Sequence, residues 1–141
     1  MEKFKLKVAS MAENLETIRE FISDIAVNAG FDPETASQIE LAVDEACTNA
    51  IKHAHAYNYE KTLELSVILE KKSIEITIKD VGKGFDAARV AKPDLEKYMH
   101  EAKKGGFGIH LMRKLMDEVH FDFKPGKGNR VTLIKFLPES A

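Results

Sequence analysis

Glu45, Asn49 and His53 are spaced four residues apart in the segment DEACTNAIKHAH, residues 44–55. On an α-helix this spacing places them in one polar strip, beside an apolar face that includes Val43. A carboxylate in such a strip can act as a general base, and an amide oxygen can bind a hard cation such as Mg²⁺. The alternative is a solvated helix edge stabilised by hydrogen bonds between neighbouring turns.

Zinc and disulfide chemistry are disfavoured in this segment. His53 and His55 are two residues apart, so on a helix they point in different directions, and the zinc-protease pattern HExxH is absent. Cys47 is the only cysteine, which excludes an internal disulfide and a cysteine-based zinc cluster. We interpret Cys47 as a small core thiol.

A second cluster is DVGKGF, residues 80–85, in which Asp80 ends a predicted strand. A carboxylate there accepts hydrogen bonds, while Gly82 and Gly84 let the backbone approach a flat ligand. Together with Ala87 these glycines also satisfy the dinucleotide fingerprint G-x-G-x-x-A. That fingerprint requires a parallel βαβ unit, whereas this strand follows a hairpin. The remaining alternative is an ordinary glycine turn.

A third cluster is KKGGFGIHLM, residues 103–112, in which Gly105, Gly106 and Gly108 lead into a predicted helix. Free N–H groups at a helix start, next to Lys104, favour an anion site. The Walker pattern GxxxxGK[ST] is missing, so this is not a P-loop. The alternative is a lid hinge that binds no ligand.

The elements that must position these clusters follow from hydrophobic periodicity. Residues 81–104 lack a sustained period, and a stretch of that length is typical of a functional loop. The order predicts an α+β two-layer sandwich with three helices on one face of a mixed, largely antiparallel sheet. The predicted strands are 4–8, 62–69, 74–79, 119–123 and 131–137. The predicted helices are one from about residue 13 that stops at Gly30, a second that opens at Asp32 and Pro33 and carries Ala50 on its apolar face, and a third at 105–119.

Length and charge set outer limits. With 141 residues the chain fits one domain, residues 1–141. A formal net charge of −2 gives no reason to expect nucleic acid or an anionic membrane as a partner. The first ten residues alternate charged and apolar side chains, unlike a signal peptide, so we expect a cytoplasmic protein.

Taken together, the three clusters resemble the GHKL-type ATP-binding fold of gyrase-like ATPases, Hsp90 and MutL proteins and sensor histidine kinases. Within that group the chain is most similar to the small bacterial anti-sigma-factor serine kinases. The similarity runs from about residue 4 to residue 137. The segments that carry it are ELAVDEACTNAIKHA (the N box), KDVGKGF and KKGGFGIHLMRKLMDEVHF (the two glycine boxes).

The resemblance implies a role for each matching residue. Glu45 matches the general base that takes the proton of a substrate serine, and Asn49 matches a Mg²⁺ ligand. Asp80 matches the carboxylate that bonds the adenine amino group of ATP or ADP. An ATP lid is implied at about 86–104. The further nucleotide contacts implied are His53, Gly82, Gly84, Lys104, Gly105, Gly106, Phe107, Gly108 and Thr132.

Two departures from the family pattern stand out. Lys104 replaces an arginine that the kinases often carry ahead of the lid glycines, and it offers a point charge instead of a bidentate fork. Gly128 and Asn129 replace the usual Gly-Thr of the last glycine element.

The resemblance implies a kinase that phosphorylates a STAS-type anti-sigma-factor antagonist, sequesters a sigma factor and forms a homodimer. The chain is almost entirely the ATP domain, which disfavours sensor histidine kinases and gyrase-like ATPases, because those act through additional domains. The alternative within this fold is a non-catalytic module that switches partners with bound nucleotide.

Overall fold

The structure is a computed structural model that describes residues 1–54, 61–81, 108–124 and 128–138. The described part contains five strands and three α-helices, with a short 3₁₀ turn at Ala12–Asn14 and a π-helical segment at Ala50–Ala54. In chain order they are β1 Glu2–Ala9, α1 Leu15–Asn28, α2 Pro33–Asn49, β2 Thr62–Leu69, β3 Ser73–Val81, α3 Gly108–Leu115, β4 Glu118–Lys124 and β5 Gly128–Phe136.

The five strands form one sheet in the order β1-β2-β3-β5-β4. The predicted α+β two-layer architecture is confirmed. All four strand pairings in the described residues are antiparallel, so the predicted mixture of strand directions does not occur among them. The last strand in sequence lies inside the sheet, because β5 inserts between β3 and β4.

One face of the sheet is buried under the helices. Successive strand side chains point to opposite faces, so every second residue of β2 and β3 packs into the core. These are mostly β-branched or leucine side chains, which suit a half-buried pleated surface. The core residues of the two strands are Leu63, Leu65, Val67, Ile74, Ile76 and Ile78.

The end of α1 and the start of α2 lie where the sequence signals predict. Gly30 has a φ of +106°, and the N–H of Phe31 donates to the carbonyl of Ala26 at 3.2 Å, the pattern of a Schellman cap. Asp32 then caps α2, since its Oδ1 accepts the N–H of Thr35 at 2.7 Å. No helix in the described ranges is both long and apolar enough to cross a membrane.

The predicted end of the third helix was wrong. α3 ends at Leu115, four residues before the predicted Val119, and β4 begins at Glu118. Asp117 occupies the junction, where its N–H donates to the carbonyl of Ile134 at 2.9 Å and its Oδ2 accepts the N–H of Phe136 at 2.7 Å. These contacts to β5 turn the chain into the sheet, an effect that the helical periodicity of the segment does not contain.

Candidate functional site

Helix α2 runs back along α1 toward the end of the sheet where β3 finishes. The two helices are antiparallel, because Arg19 near the start of α1 donates from its Nη1 to Oδ1 of Asp44 near the end of α2 at 2.8 Å. Their connection lies at the far end of the sheet, where a Cβ on Gly30 would be 4.0 Å from Cδ2 of Leu137, just after β5. Asn49, the last residue of α2, therefore lies toward the opposite end.

Helix α3 starts toward the same end as Asn49. Its last carbonyl, that of Leu115, accepts from Nζ of Lys135 at 2.8 Å, which places the helix C-terminus beside the end of β5. Gly108 begins the helix seven residues earlier, at roughly 1.5 Å per residue toward the start of β5. Since β3 and β5 are antiparallel, the start of β5 lies beside the end of β3. We call this region the Asp80 end of the fold.

Asp80 faces the helix layer at that end and is only 5% exposed. It is in phase with the buried Ile76 and Ile78 of the same strand, so its carboxylate points to the covered face. Both of its oxygens accept hydrogen bonds from Asn129: the backbone N–H donates to Oδ1 at 2.8 Å and Nδ2 donates to Oδ2 at 2.9 Å. A buried carboxylate without such donors would be costly, so Asn129 makes this position tolerable.

Gly128 allows the close approach of β5 to Asp80. It has a φ of +86°, which L side chains rarely adopt. A Cβ there would lie 2.5 Å from the backbone oxygen of Asp80 and 3.2 Å from its Oδ1. β5 begins at Gly128, three residues before the predicted start at Val131, so Gly128 and Asn129 already belong to the strand.

The structure does not bring Thr132 to Asp80. Thr132 pairs across the sheet with Thr77, and the two hydroxyl oxygens are 3.4 Å apart. Thr77 lies between the buried Ile76 and Ile78 and so points to the opposite face. The strand residue that meets Asp80 is Asn129, which sequence reasoning missed. The alternation of β5 contained the signal, because Asn129 is in phase with the core residues of the strand and Thr132 is out of phase.

Asn49 is buried and incompletely satisfied. Its side chain is 8% exposed, and its Nδ2 has no hydrogen-bond partner in the part of the chain that the structure describes. The backbone leaves α-geometry immediately after it, in the π-helical segment Ala50–Ala54. π-Segments within helices occur frequently at functional sites. A buried polar group without a partner at a helix end is a candidate ligand contact.

Glu45 lies one helical turn before Asn49 and is half-buried. Among the described residues it has no hydrogen-bond or ion-pair partner, whereas the adjacent Asp44 is held by Arg19. That hydrogen bond raises the pKa of the Arg19 guanidinium. Of the two neighbouring carboxylates, Asp44 joins the helices, whereas Glu45 makes no such contact with another described residue.

The remaining predicted site residues fall where the structure gives no side-chain information. The backbone of His53 belongs to the π-helical segment, so the α-helical strip predicted from spacing does not continue past Asn49, and its side chain lies outside the described part. Gly108 is the first residue of α3. The predictions for Gly82, Gly84, Lys104, Gly105, Gly106, Phe107 and the lid at 86–104 lie outside the described residues.

Comparison with known proteins identifies the family of the chain. A family profile described as a histidine kinase-like ATPase domain matches residues 8–135. The anti-sigma F factor of Anoxybacillus flavithermus is 32% identical over 137 residues, covering 96% of this chain and 92% of that protein. The serine-protein kinase RsbW of Bacillus licheniformis is 34% identical over 140 residues, covering 94% of this chain and 84% of that kinase.

Among solved structures, the chain is similar to the RsbU and RsbW domains of Rv1364c from Mycobacterium tuberculosis, with a TM-score of 0.70 and 16% identity. The match covers all of this chain and 34% of that larger one, and at this identity it supports the fold alone. The profile, by contrast, spans nearly the whole sequence and includes every element around Asp80. The chain belongs to the histidine kinase-like ATPase family, whose nucleotide is ATP.

Proposed function

We propose that this protein is an ATP-dependent protein-serine kinase that phosphorylates a STAS-type anti-sigma-factor antagonist and sequesters a sigma factor. The observation that carries the proposal is the convergence of Asn49, Asp80 and Gly108 at one end of the helix-sheet interface. It is supported by relatives named serine-protein kinase and anti-sigma F factor, which align with 94% or more of this chain. Both the antagonist and the sigma factor would be cytoplasmic proteins, and we place the kinase in the same compartment.

The adenine and the phosphates have separate contacts in this proposal. Asp80 accepts a hydrogen bond from the adenine amino group. The last-strand residue that contacts Asp80 is Asn129 and not Thr132. The N-terminus of α3, which begins at Gly108 after the glycine-rich segment, offers free N–H groups to phosphate oxygens.

The residues present fit a Mg²⁺ ion that is bound together with nucleotide. Mg²⁺ in phosphate-binding sites usually takes one or two protein oxygens and completes its shell with phosphates and water. Asn49 supplies a buried amide with an unsatisfied atom, and the described residues contain no group of three potential metal ligands. When bound, the metal would neutralise charge on the phosphates. Asn49 would bind it through Oδ1, leaving Nδ2 as a donor to a phosphate oxygen.

Glu45 performs the proton transfer. Its carboxylate accepts the proton of the substrate serine hydroxyl as that oxygen attacks the terminal phosphoryl group. The neighbouring carboxylate, Asp44, has a structural partner of its own, because it forms an ion pair with Arg19 of α1.

The decisive experiment compares the two adjacent carboxylates. The chain is incubated with Mg-ATP and each STAS-domain protein of its own genome, and phosphoserine on those proteins is measured. We expect Glu45→Gln to reduce transfer by about 10²- to 10⁴-fold, while its ADP affinity in calorimetry stays near that of the wild type. The matched variant Asp44→Asn, which alters a carboxylate held by Arg19, should retain transfer. If Glu45→Gln transfers phosphate as fast as the wild type, the assignment of the base is wrong.

Lys104 favours a second candidate, a nucleotide-dependent switch without catalysis. A lysine contacts phosphate as a point charge, without the bidentate geometry of the arginine that kinases often carry there. A single-turnover assay separates the two functions, because a pure switch binds ATP and releases it unchanged in the presence of its partner. Restored or increased transfer in Lys104→Arg would indicate a kinase limited at this position.

We also propose that the protein acts as a homodimer. Phe136 is 49% exposed on the sheet face opposite the helices, and Val27 is 50% exposed on α1. The two residues lie on different layers of the fold, so they mark two separate surfaces, either of which a second copy could cover. Sedimentation at micromolar concentration tests the proposal, and a monomer at all concentrations would contradict it.

A further inference from the structure

We infer that Asn129 is a specificity-determining residue that reads the adenine base jointly with Asp80, Asp80 accepting from the exocyclic amino group and Asn129 donating to ring nitrogen N1. The inference rests on the ATP site proposed above. It concerns a residue that replaces the threonine of the family pattern.

The orientation of the Asn129 amide is fixed by the chemistry of its partner. Oδ2 of Asp80 is a carboxylate oxygen, which in the ionised state only accepts hydrogen bonds. The amide atom 2.9 Å from it must therefore be the nitrogen, as the structure has it. The second contact, from the backbone N–H of Asn129 to Oδ1 at 2.8 Å, joins the same two residues at a second point.

Among the described residues, Asp80 and Asn129 each retain hydrogen-bonding capacity after this pairing. A carboxylate offers about four acceptor positions, of which Asn129 uses two. The amide nitrogen carries two hydrogens, of which Asp80 takes one. Both residues are in phase with the core side of their strands, so an acceptor position of Asp80 and a donor hydrogen of Asn129 that no other described residue takes lie on the helix-facing side of the sheet.

The backbone keeps that pair in place. Gly128 brings β5 so close that a Cβ would lie 2.5 Å from the backbone oxygen of Asp80. Asp80 pairs with Leu63 of β2 and is 5% exposed, so its carboxylate has little freedom to reorient. Because both residues are held by paired strands, the hydrogen-bonding groups that contact the base are preorganised before it binds.

An acceptor beside a donor matches adenine and opposes guanine. The Watson–Crick edge of adenine presents an amino donor next to the acceptor N1, whereas guanine presents the acceptor O6 next to a protonated N1. Guanine would thus place acceptor against acceptor and donor against donor. A buried site that leaves its polar groups unpaired discriminates strongly against the wrong ligand.

The test is a binding cycle that pairs a side-chain change with an atom change in the ligand. Calorimetry measures the affinities of ADP, GDP and 1-deaza-ADP, in which N1 is replaced by C–H, for the wild type and for Asn129→Leu. We expect the wild type to bind 1-deaza-ADP about tenfold more weakly than ADP. We expect Asn129→Leu to bind the two with equal affinity and to show a smaller preference for ADP over GDP.

Two further variants make the result decisive. Asn129→Ser keeps a donor for Asp80 but is too short to reach the base, so it should fold like the wild type and also lose the 1-deaza penalty. Thr77→Val, on the opposite face of β3, should still bind 1-deaza-ADP more weakly than ADP. A penalty that persists in both Asn129 variants overturns the inference while leaving the ATP site intact. A wild type that binds neither ADP nor ATP overturns the proposed function itself.

Discussion

Lys135 closes the C-terminus of α3: its Nζ donates at 2.8 Å to the carbonyl oxygen of Leu115, the last residue of the helix. The helix ends there with orphan carbonyls and a partial negative charge, which a lysine satisfies from the neighbouring strand. Because α3 starts at Gly108, this contact also fixes the position of the helix whose other end belongs to the candidate site.

Replacing Lys135 should therefore loosen α3. We expect Lys135→Met, which keeps most of the aliphatic stem, to lower the free energy of unfolding by about 1 kcal/mol and to speed amide exchange in α3. Urea titration and hydrogen exchange provide the measurements. Lys79→Met, on the open face of the sheet, is the matched control, and equal effects of the two changes would show that the helix contact contributes nothing specific.

Alanine substitutions at the two glycines with positive φ distinguish the cost of backbone strain from the cost of a steric clash. Gly30→Ala meets only a side chain at 4.0 Å and should cost about 1–2 kcal/mol from conformation alone. Gly128→Ala places a Cβ 2.5 Å from the backbone oxygen of Asp80, and we expect about 3 kcal/mol together with weaker ADP binding. Thermal unfolding and calorimetry compare them. If Gly128→Ala binds ADP normally, the close approach of β5 does not shape the site.

The cap of α2 should make a pH-dependent contribution to stability. The hydrogen bond from the N–H of Thr35 lowers the pKa of Asp32 below its unfolded value of about 3.9. The contribution is therefore fully present above the unfolded pKa and is lost as the pH falls through the folded pKa. We expect the difference in unfolding free energy between wild type and Asp32→Asn to be constant from about pH 7 to 5 and to shrink below about pH 4. A difference that grows in acid would refute this.

Cys47 should report on opening of the core. It is fully buried on α2, and burial, with the nearby charge of Asp44, raises the pKa of its thiol. Because thiol reagents attack the thiolate, labelling at neutral pH should require unfolding. We expect urea to accelerate labelling, and ADP at about 100 times its dissociation constant to slow it by about 100-fold. If neither urea nor ADP changes the labelling rate, the thiol lies in a region that opens locally, and the prediction is wrong.

The local elements could be read from the sequence because their signals lie within a few residues. Apolar residues at helical spacing placed α1 and α2, Gly30 and Asp32 marked a helix end and a helix start, and strict alternation placed the β2-β3 hairpin. The order of the three motif clusters was enough to predict the family. Each of these features depends on hydrophobic periodicity and on helix-capping residues, which are local properties of the sequence.

The partner of Asp80 was decided by tertiary structure. Asn129 is 49 positions away, and it reaches Asp80 only because β5 leaves the chain order and inserts between β3 and β4. The end of α3 was set in the same way, by contacts of Asp117 with β5. Periodicity assigns a residue to a face of its own strand, but which strand lies alongside depends on non-local pairing that no local pattern encodes.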